Sequence, residues 1–133
     1  MKIYDPARRK YVKRTPEEEV RQMVLRFLVG ERGVPLQLLA SEYPFSYNGV
    51  ACRADLVVFD RELQPLLLVE CKAPGVAINA DVVDQMARYD RTLRVRCMMA
   101  TNGSDTLFCL RDGESGRWSP VPRILDYEEM LAL

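Results

Sequence analysis

Two short apolar runs constrain this chain more than any other feature. They are Arg53-Ala54-Asp55-Leu56-Val57-Val58-Phe59-Asp60 and Pro65-Leu66-Leu67-Leu68-Val69-Glu70-Cys71-Lys72, with polar residues between them. Runs of this length, rich in Val and Leu and bounded by turn residues, read as strands. Strand side chains alternate between faces. That spacing puts Asp55, Val57 and Phe59 on one face of the first strand. It puts Leu66, Leu68, Glu70 and Lys72 on one face of the second, with Cys71 on the opposite, core-facing side beside Val69. Paired as a hairpin, the start of the first strand lies beside the end of the second. Asp55 then approaches Glu70 and Lys72.

Three charges in so oily a setting define a chemistry. Two convergent carboxylates offer the hard oxygen ligands that Mg²⁺ takes while keeping several waters. A neighbouring lysine holds or polarises an attacking water and balances charge developing on phosphate. The bland alternative for each residue taken singly is a solvated strand end.

The rest of the chain frames this pair. Thr15-Pro16-Glu17-Glu18 is a helix start: Thr15 caps, Pro16 suits the first helical position, and Glu18 completes a capping box. Val20, Met23, Val24, Phe27 and Leu28 recur at helical spacing as an apolar face, and Gly30 or Gly33 ends the helix. At about 100° per residue, Glu17 falls near the Val20/Val24 side and Glu18 points away. Glu42 to Tyr47 reads as a strand, and Asn48-Gly49 as the turn of a hairpin leading into the Asp55 strand. Ala73-Pro74-Gly75 breaks the chain after Lys72. A second helix starts at Asn79 or Asp81, with Gln85 and Tyr89 four apart on one face. Val95 to Thr101 reads as a buried strand parallel to the Glu70 strand, because a helical crossover precedes it. Thr106 to Leu110 is a further strand. Trp118 onward gives an extended piece and a short helix, Tyr127 to Leu131.

Composition removes whole classes of function. There is no histidine, so Ser-His-Asp catalysis and histidine-ligated zinc are excluded. The four cysteines, Cys52, Cys71, Cys97 and Cys109, have no CxxC spacing and are expected to be reduced. No apolar run approaches the roughly 20 residues of a membrane span. With no secretory segment at the N-terminus, a cytoplasmic protein without membrane contact is expected. Nineteen basic residues balance nineteen acidic ones, so bulk charge implies no general affinity for nucleic acid. The distribution is uneven: Arg8, Arg9, Lys10, Lys13 and Arg14 crowd residues 1–14 as a basic arm. That arm is either a phosphate-contacting segment or a solvated tail. Residues 15–133 are then a single domain.

The residues Asp55 and Glu70-Cys71-Lys72 resemble the D…(D/E)xK core of the PD-(D/E)xK nuclease superfamily, with Ala54 where a proline is usual. The longer set is similar to the N-terminal nuclease domain of type I restriction enzyme R subunits. That set comprises Thr15-Pro16-Glu17-Glu18, Arg53 to Val58, Leu68 to Pro74, Asp84 to Tyr89 and Thr101-Asn102-Gly103. The resemblance implies a restriction-endonuclease-like α-β-β-β-α-β sandwich with a mixed central sheet. It implies a Mg²⁺- or Mn²⁺-dependent DNA endonuclease that leaves 5′-phosphate and 3′-hydroxyl ends. Asp55, Glu70 and the backbone carbonyl of Cys71 would hold the metal, with Glu17 reaching it from the first helix. Lys72 would act on water, Gln85 would orient Lys72 or the phosphate, and Tyr89 would support Gln85 or DNA. The expected partners are DNA and other restriction-modification subunits. The chain has no G-x-x-x-x-G-K-[ST] segment, so it cannot translocate by itself. The competing expectation is a nuclease-fold module that binds nucleic acid or a protein without efficient cleavage.

Overall fold

Thr15 does start the first helix: its hydroxyl accepts the Glu18 amide at 3.0 Å, and α1 runs Pro16–Glu31. A computed structural model describes all 133 residues. Before α1, β1 (Lys2–Asp5) and β2 (Lys10–Lys13) pair antiparallel as a separate two-stranded sheet. The basic arm is therefore a folded hairpin. Asp5 anchors it by accepting the Ala7 amide and pairing with Arg8.

After a short 3-10 turn (Leu36–Leu38) the chain makes three antiparallel strands, β3 (Leu39–Tyr47), β4 (Val50–Phe59) and β5 (Pro65–Cys71). Asn48 and Gly49 close the first hairpin with φ of 50° and 76°, the paired left-handed conformations of a type I′ turn. Asn79 caps α2 (Ala80–Leu93), accepting the amides of Asp81 and Val82. The crossover returns as β6 (Cys97–Thr101), parallel to β5. Antiparallel β7 (Thr106–Arg111) and β8 (Trp118–Val121) follow, then α3 (Tyr127–Leu131). The six-stranded sheet has the order β3-β4-β5-β6-β7-β8 and is mixed, as expected from the single helical crossover. This is the α/β architecture of a restriction-endonuclease-like fold.

Each face of the sheet carries one long helix. Leu56, Val58, Leu67, Val69, Cys71 and Met99 pack with Val20, Val24, Leu25 and Leu28 of α1. Ala54, Val57, Leu68, Met98 and Ala100 pack with Val82, Met86 and Leu93 of α2. Leu56, Leu67, Leu68, Val57 and Leu28 are wholly buried, each worth roughly 1.5–3 kcal/mol of transfer free energy.

Two local expectations need correction. The expected apolar face of α1 holds at Val20, Val24 and Leu28, which are buried, but Phe27 is only partly buried and Met23 is 42% exposed. The buried face also takes in a row outside that expectation, Glu18, Arg21, Gln22 and Leu25, which continues to Leu28. These positions are three or four apart, so they form one row along the helix. The N-terminal half of that row is polar. Glu18, expected to point away, is buried, and Glu17 is half-exposed.

Candidate metal centre

Asp55 lies one residue before β4 begins to pair with β5. β4 pairs with β3 from Val50 onward but with β5 only from Leu56. The pleat breaks here, because Glu42 on the facing strand adopts φ of 55°. Strict alternation would put Asp55 on the Val57 face, toward α2. Instead Ala54 packs with Val57, and the Asp55 carboxylate reaches α1. Both its oxygens are taken: Oδ1 accepts from Arg21 Nη2 at 2.7 Å, and Oδ2 accepts the Cys71 amide at 2.8 Å. The second bond ties the end of β5 to Asp55 through a side chain, where the backbone ladder has stopped.

Glu70 and Lys72 end the neighbouring strand. Lys72 Nζ stands 3.4 Å from Glu70 Oε1. The Lys72 amide donates to the Thr101 carbonyl at 2.9 Å, which fixes the backbone at the point where β5 gives way to its loop. Asn102 steadies the loop itself by donating from its side chain to the Val76 carbonyl at 2.8 Å. Glu70 is 9% exposed. Burial pushes its carboxyl up to about 7, and the charge of Asp55 adds to this, while Lys72 pulls the other way. The charge of Asp55 is thus felt at Glu70, across the end of the β4–β5 pairing. Burial also pushes the Cys71 thiol far up, so it stays protonated in the core. Cys71 can serve a metal only through its backbone.

The remaining candidates are distributed unevenly. Glu17 stands at the rim, 3.5 Å from Arg21 Nη2. Burial and the nearby Asp55 charge push its carboxyl up, whereas Arg21 and Lys72 pull it down. No three acidic or thiol side chains converge closely enough to hold a metal unaided. Gln85 donates to the Tyr89 hydroxyl at 3.0 Å, and Tyr89 stacks edge-on against Phe45 with ring centres 4.9 Å apart. The bonded partner of Gln85 is thus Tyr89, and that of Lys72 is Glu70. In the N-terminal hairpin, Arg9, Lys10 and Lys13 are exposed. Arg8 is spent on Asp5 and Glu18, and Arg14 on Glu19.

Arg21 is the residue that sequence reasoning missed. Its guanidinium meets Glu18 at 2.6 Å, Asp55 at 2.7 Å, Glu42 at 2.8 Å and Glu17 at 3.5 Å. Burial works against its charge, but the bonds and charges of Asp55, Glu18 and Glu42 outweigh that and push its pKa up. The signal was present: Arg21 shares the helix row of Leu25 and Leu28, where a cation needs buried acids.

No helix is long and apolar enough to cross a membrane. No curated protein matches the chain. A family model does match, over residues 16–124, from the first turn of α1 to the segment before α3, and so includes every element that builds the centre. The chain belongs to the family described as the type I restriction enzyme R protein N terminus (HSDR_N).

Proposed function

We propose that this domain is a Mg²⁺-dependent DNA endonuclease, hydrolysing phosphodiesters. One observation carries the reading. A buried Glu70, pushed up to about 7 by its surroundings and Asp55, ends its strand with Lys72 3.4 Å away. Arg21 compensates Asp55, while buried Glu70 has only the Lys72 ammonium at 3.4 Å, which leaves a poorly compensated hard oxygen donor beside a fixed one. That donor set fits Mg²⁺ or Mn²⁺, which take one or two carboxylates and fill their other positions with water. Asp55 and Glu70 would hold the ion, with the Cys71 carbonyl as a third oxygen. When bound, the ion supplies Lewis-acid stabilisation of the phosphate and a more acidic water.

The chain's own residues do the rest. Glu70 binds in its ionised form. Lys72 places its ammonium beside Glu70, where it orients water and offsets charge that builds on the phosphate oxygens. Asp55, fixed by Arg21 and the Cys71 amide, keeps its position while Glu70 changes protonation. Tyr89 holds the Gln85 amide on the α2 side. Arg9, Lys10 and Lys13 are exposed hairpin cations open to a phosphate backbone. Family membership supports a restriction-modification setting, in which DNA and other subunits of such a system would be its partners.

The test is nicking of plasmid and single-stranded DNA with Mg²⁺ or Mn²⁺. Wild type is expected to cleave. Lys72→Ala should lose about 10²–10³ in rate, the scale for removing one transition-state charge partner, with its fold intact. A wild-type chain that nicks no DNA with either ion, alone or with partner subunits, overturns the reading. It would leave a binding module in its place.

A further inference from the structure

We propose that Arg21 is a positioning residue for the metal centre, and that the N-terminal hairpin holds it in place. The proposal rests on the reading of Asp55 as a metal ligand. Arg21 is 6% exposed, and its two terminal nitrogens meet four carboxylates. Its Nε is buried with no partner, so the planar fork alone sets its placement. Through Nη2 it holds one oxygen of Asp55, while the Cys71 amide holds the other. A carboxylate gripped on both oxygens by donors from different elements can neither rotate nor withdraw. The lone pairs that remain are aimed before any ion arrives.

The grip continues away from the centre. Glu18 Oε1 accepts from Arg21 Nη1 and from Arg8 Nη2, each at 2.6 Å, and Gln22 donates to Glu18 Oε2 at 3.1 Å. Arg8 in turn pairs with Asp5, which is wholly buried. An unbroken line of ion pairs thus runs Asp5–Arg8–Glu18–Arg21–Asp55. It links the β1–β2 hairpin to β4 across α1. Lysine cannot replace the fork, since a single ammonium has no rigid planar spread of donors. Partners one step behind a metal ligand typically govern its affinity 10–100-fold.

Arg21→Lys is the informative variant because it keeps the charge and removes the fork. A change in affinity then reports geometry, not the net field. The probe is Mn²⁺, titrated into the full chain with free ion read by electron paramagnetic resonance. Amide hydrogen exchange at Cys71 reports the Asp55 bond with no metal present. Arg21→Lys is expected to weaken Mn²⁺ binding about 10–100-fold. It should also speed exchange at Cys71 while leaving Leu67 and Leu68 unchanged. Glu18→Gln should act in the same direction by less, and carries the test alone if Arg21→Lys does not fold. Unchanged Mn²⁺ affinity with unchanged Cys71 exchange overturns the proposal. So does a uniform rise of exchange at every core amide, which marks stability alone. A wild-type chain that binds no Mn²⁺ defeats the metal reading instead, and the Cys71 amide then decides the role of Arg21 by itself.

Discussion

Asp55, midway along β4, and Glu70, near the end of the neighbouring β5, sit in opposite electrostatic settings. Asp55, on the α1 side, has a guanidinium at 2.7 Å and an amide at 2.8 Å. Glu70 has only an ammonium at 3.4 Å, and burial with the Asp55 charge pushes it up to about 7. One carboxylate is compensated and immobile. The other is under-compensated and responsive. A site assembled this way keeps a fixed reference ligand and an adjustable one. On the proposed reading, a divalent ion would supply the charge that Glu70 lacks, so binding and ionisation would reinforce each other.

The comparison breaks most completely if the compensation is removed. Arg21→Met leaves Asp55 and the buried Glu18 without their shared cation. Stripping one partner from a buried ion pair costs about 3–5 kcal/mol, and chemical denaturation should show a loss of that order. A loss below roughly 1 kcal/mol, the range of a surface pair, would mean that Arg21 is not the compensating group.

The responsive side has its own signature, in pH. The folded Glu70 carboxyl titrates near 7, against 4.5 ordinarily. Between those values the native metal-free protein holds a proton that the unfolded chain has released. The native state thus binds more protons, and stability falls as pH rises. The contribution is fully present below about 4.5 and lost once pH passes about 7. At about 1.4 kcal/mol per pH unit it amounts to roughly 3 kcal/mol. Glu70→Gln should flatten that part of the stability profile, and Mg²⁺ should recover part of the loss at pH 8. A profile unchanged by Glu70→Gln would place the proton elsewhere.

Asp55→Asn sharpens the contrast, because it joins the two halves. The amide group turns a donor toward either Arg21 or the Cys71 N–H, a clash worth about 1–3 kcal/mol. It also removes the charge that helps to raise Glu70, so Glu70 should titrate lower in this variant. Carboxyl NMR of Glu70 in wild type and variant checks that shift. A Glu70 that titrates identically in both would show that the two carboxylates do not sense each other.

The same contrast explains what was legible in the sequence. Glu70, Cys71 and Lys72 follow from strand alternation alone, and the structure keeps Cys71 in the core beside Val69. The β3–β4 turn, the crossover and α3 were also readable, because Asn48-Gly49, the Asn79 cap and the Tyr127–Leu131 segment act locally. Asp55 broke its alternation for a nonlocal reason: the β4–β5 pairing stops at Leu56, and Glu42 on β3 takes a left-handed backbone. The α1 face was only partly placed: Val20, Val24 and Leu28 are buried as an apolar stripe predicts, but its polar part was not sought. That part begins with Glu18, Arg21 and Gln22, which are buriable only because Asp5, Arg8 and Asp55 arrive from other elements. Residues 1–14 read as a free arm for the same reason. Their charges find partners in three dimensions, and composition does not display them.

The smallest expected effect lies on the α2 side, at Tyr89. Its hydroxyl accepts from Gln85 at 3.0 Å, and its ring packs on Phe45 and, at 6.3 Å between centres, on Tyr47. Tyr89→Phe keeps the ring contacts and removes one partly buried hydrogen bond. The stability cost should be about 0.5–1.5 kcal/mol, well under that of Arg21→Met. The two variants then separate by what else they change. Arg21→Met strips Asp55, so it should lower both Mn²⁺ affinity and stability. Tyr89→Phe frees the Gln85 amide while leaving Asp55, Glu70 and Lys72 in place, so Mn²⁺ affinity should hold. DNA cleavage should fall modestly, by less than Lys72→Ala. A Tyr89→Phe variant that loses Mn²⁺ binding would show that the α2 side also positions the carboxylates. The division between a fixed Asp55 side and an open Glu70 side would then be wrong.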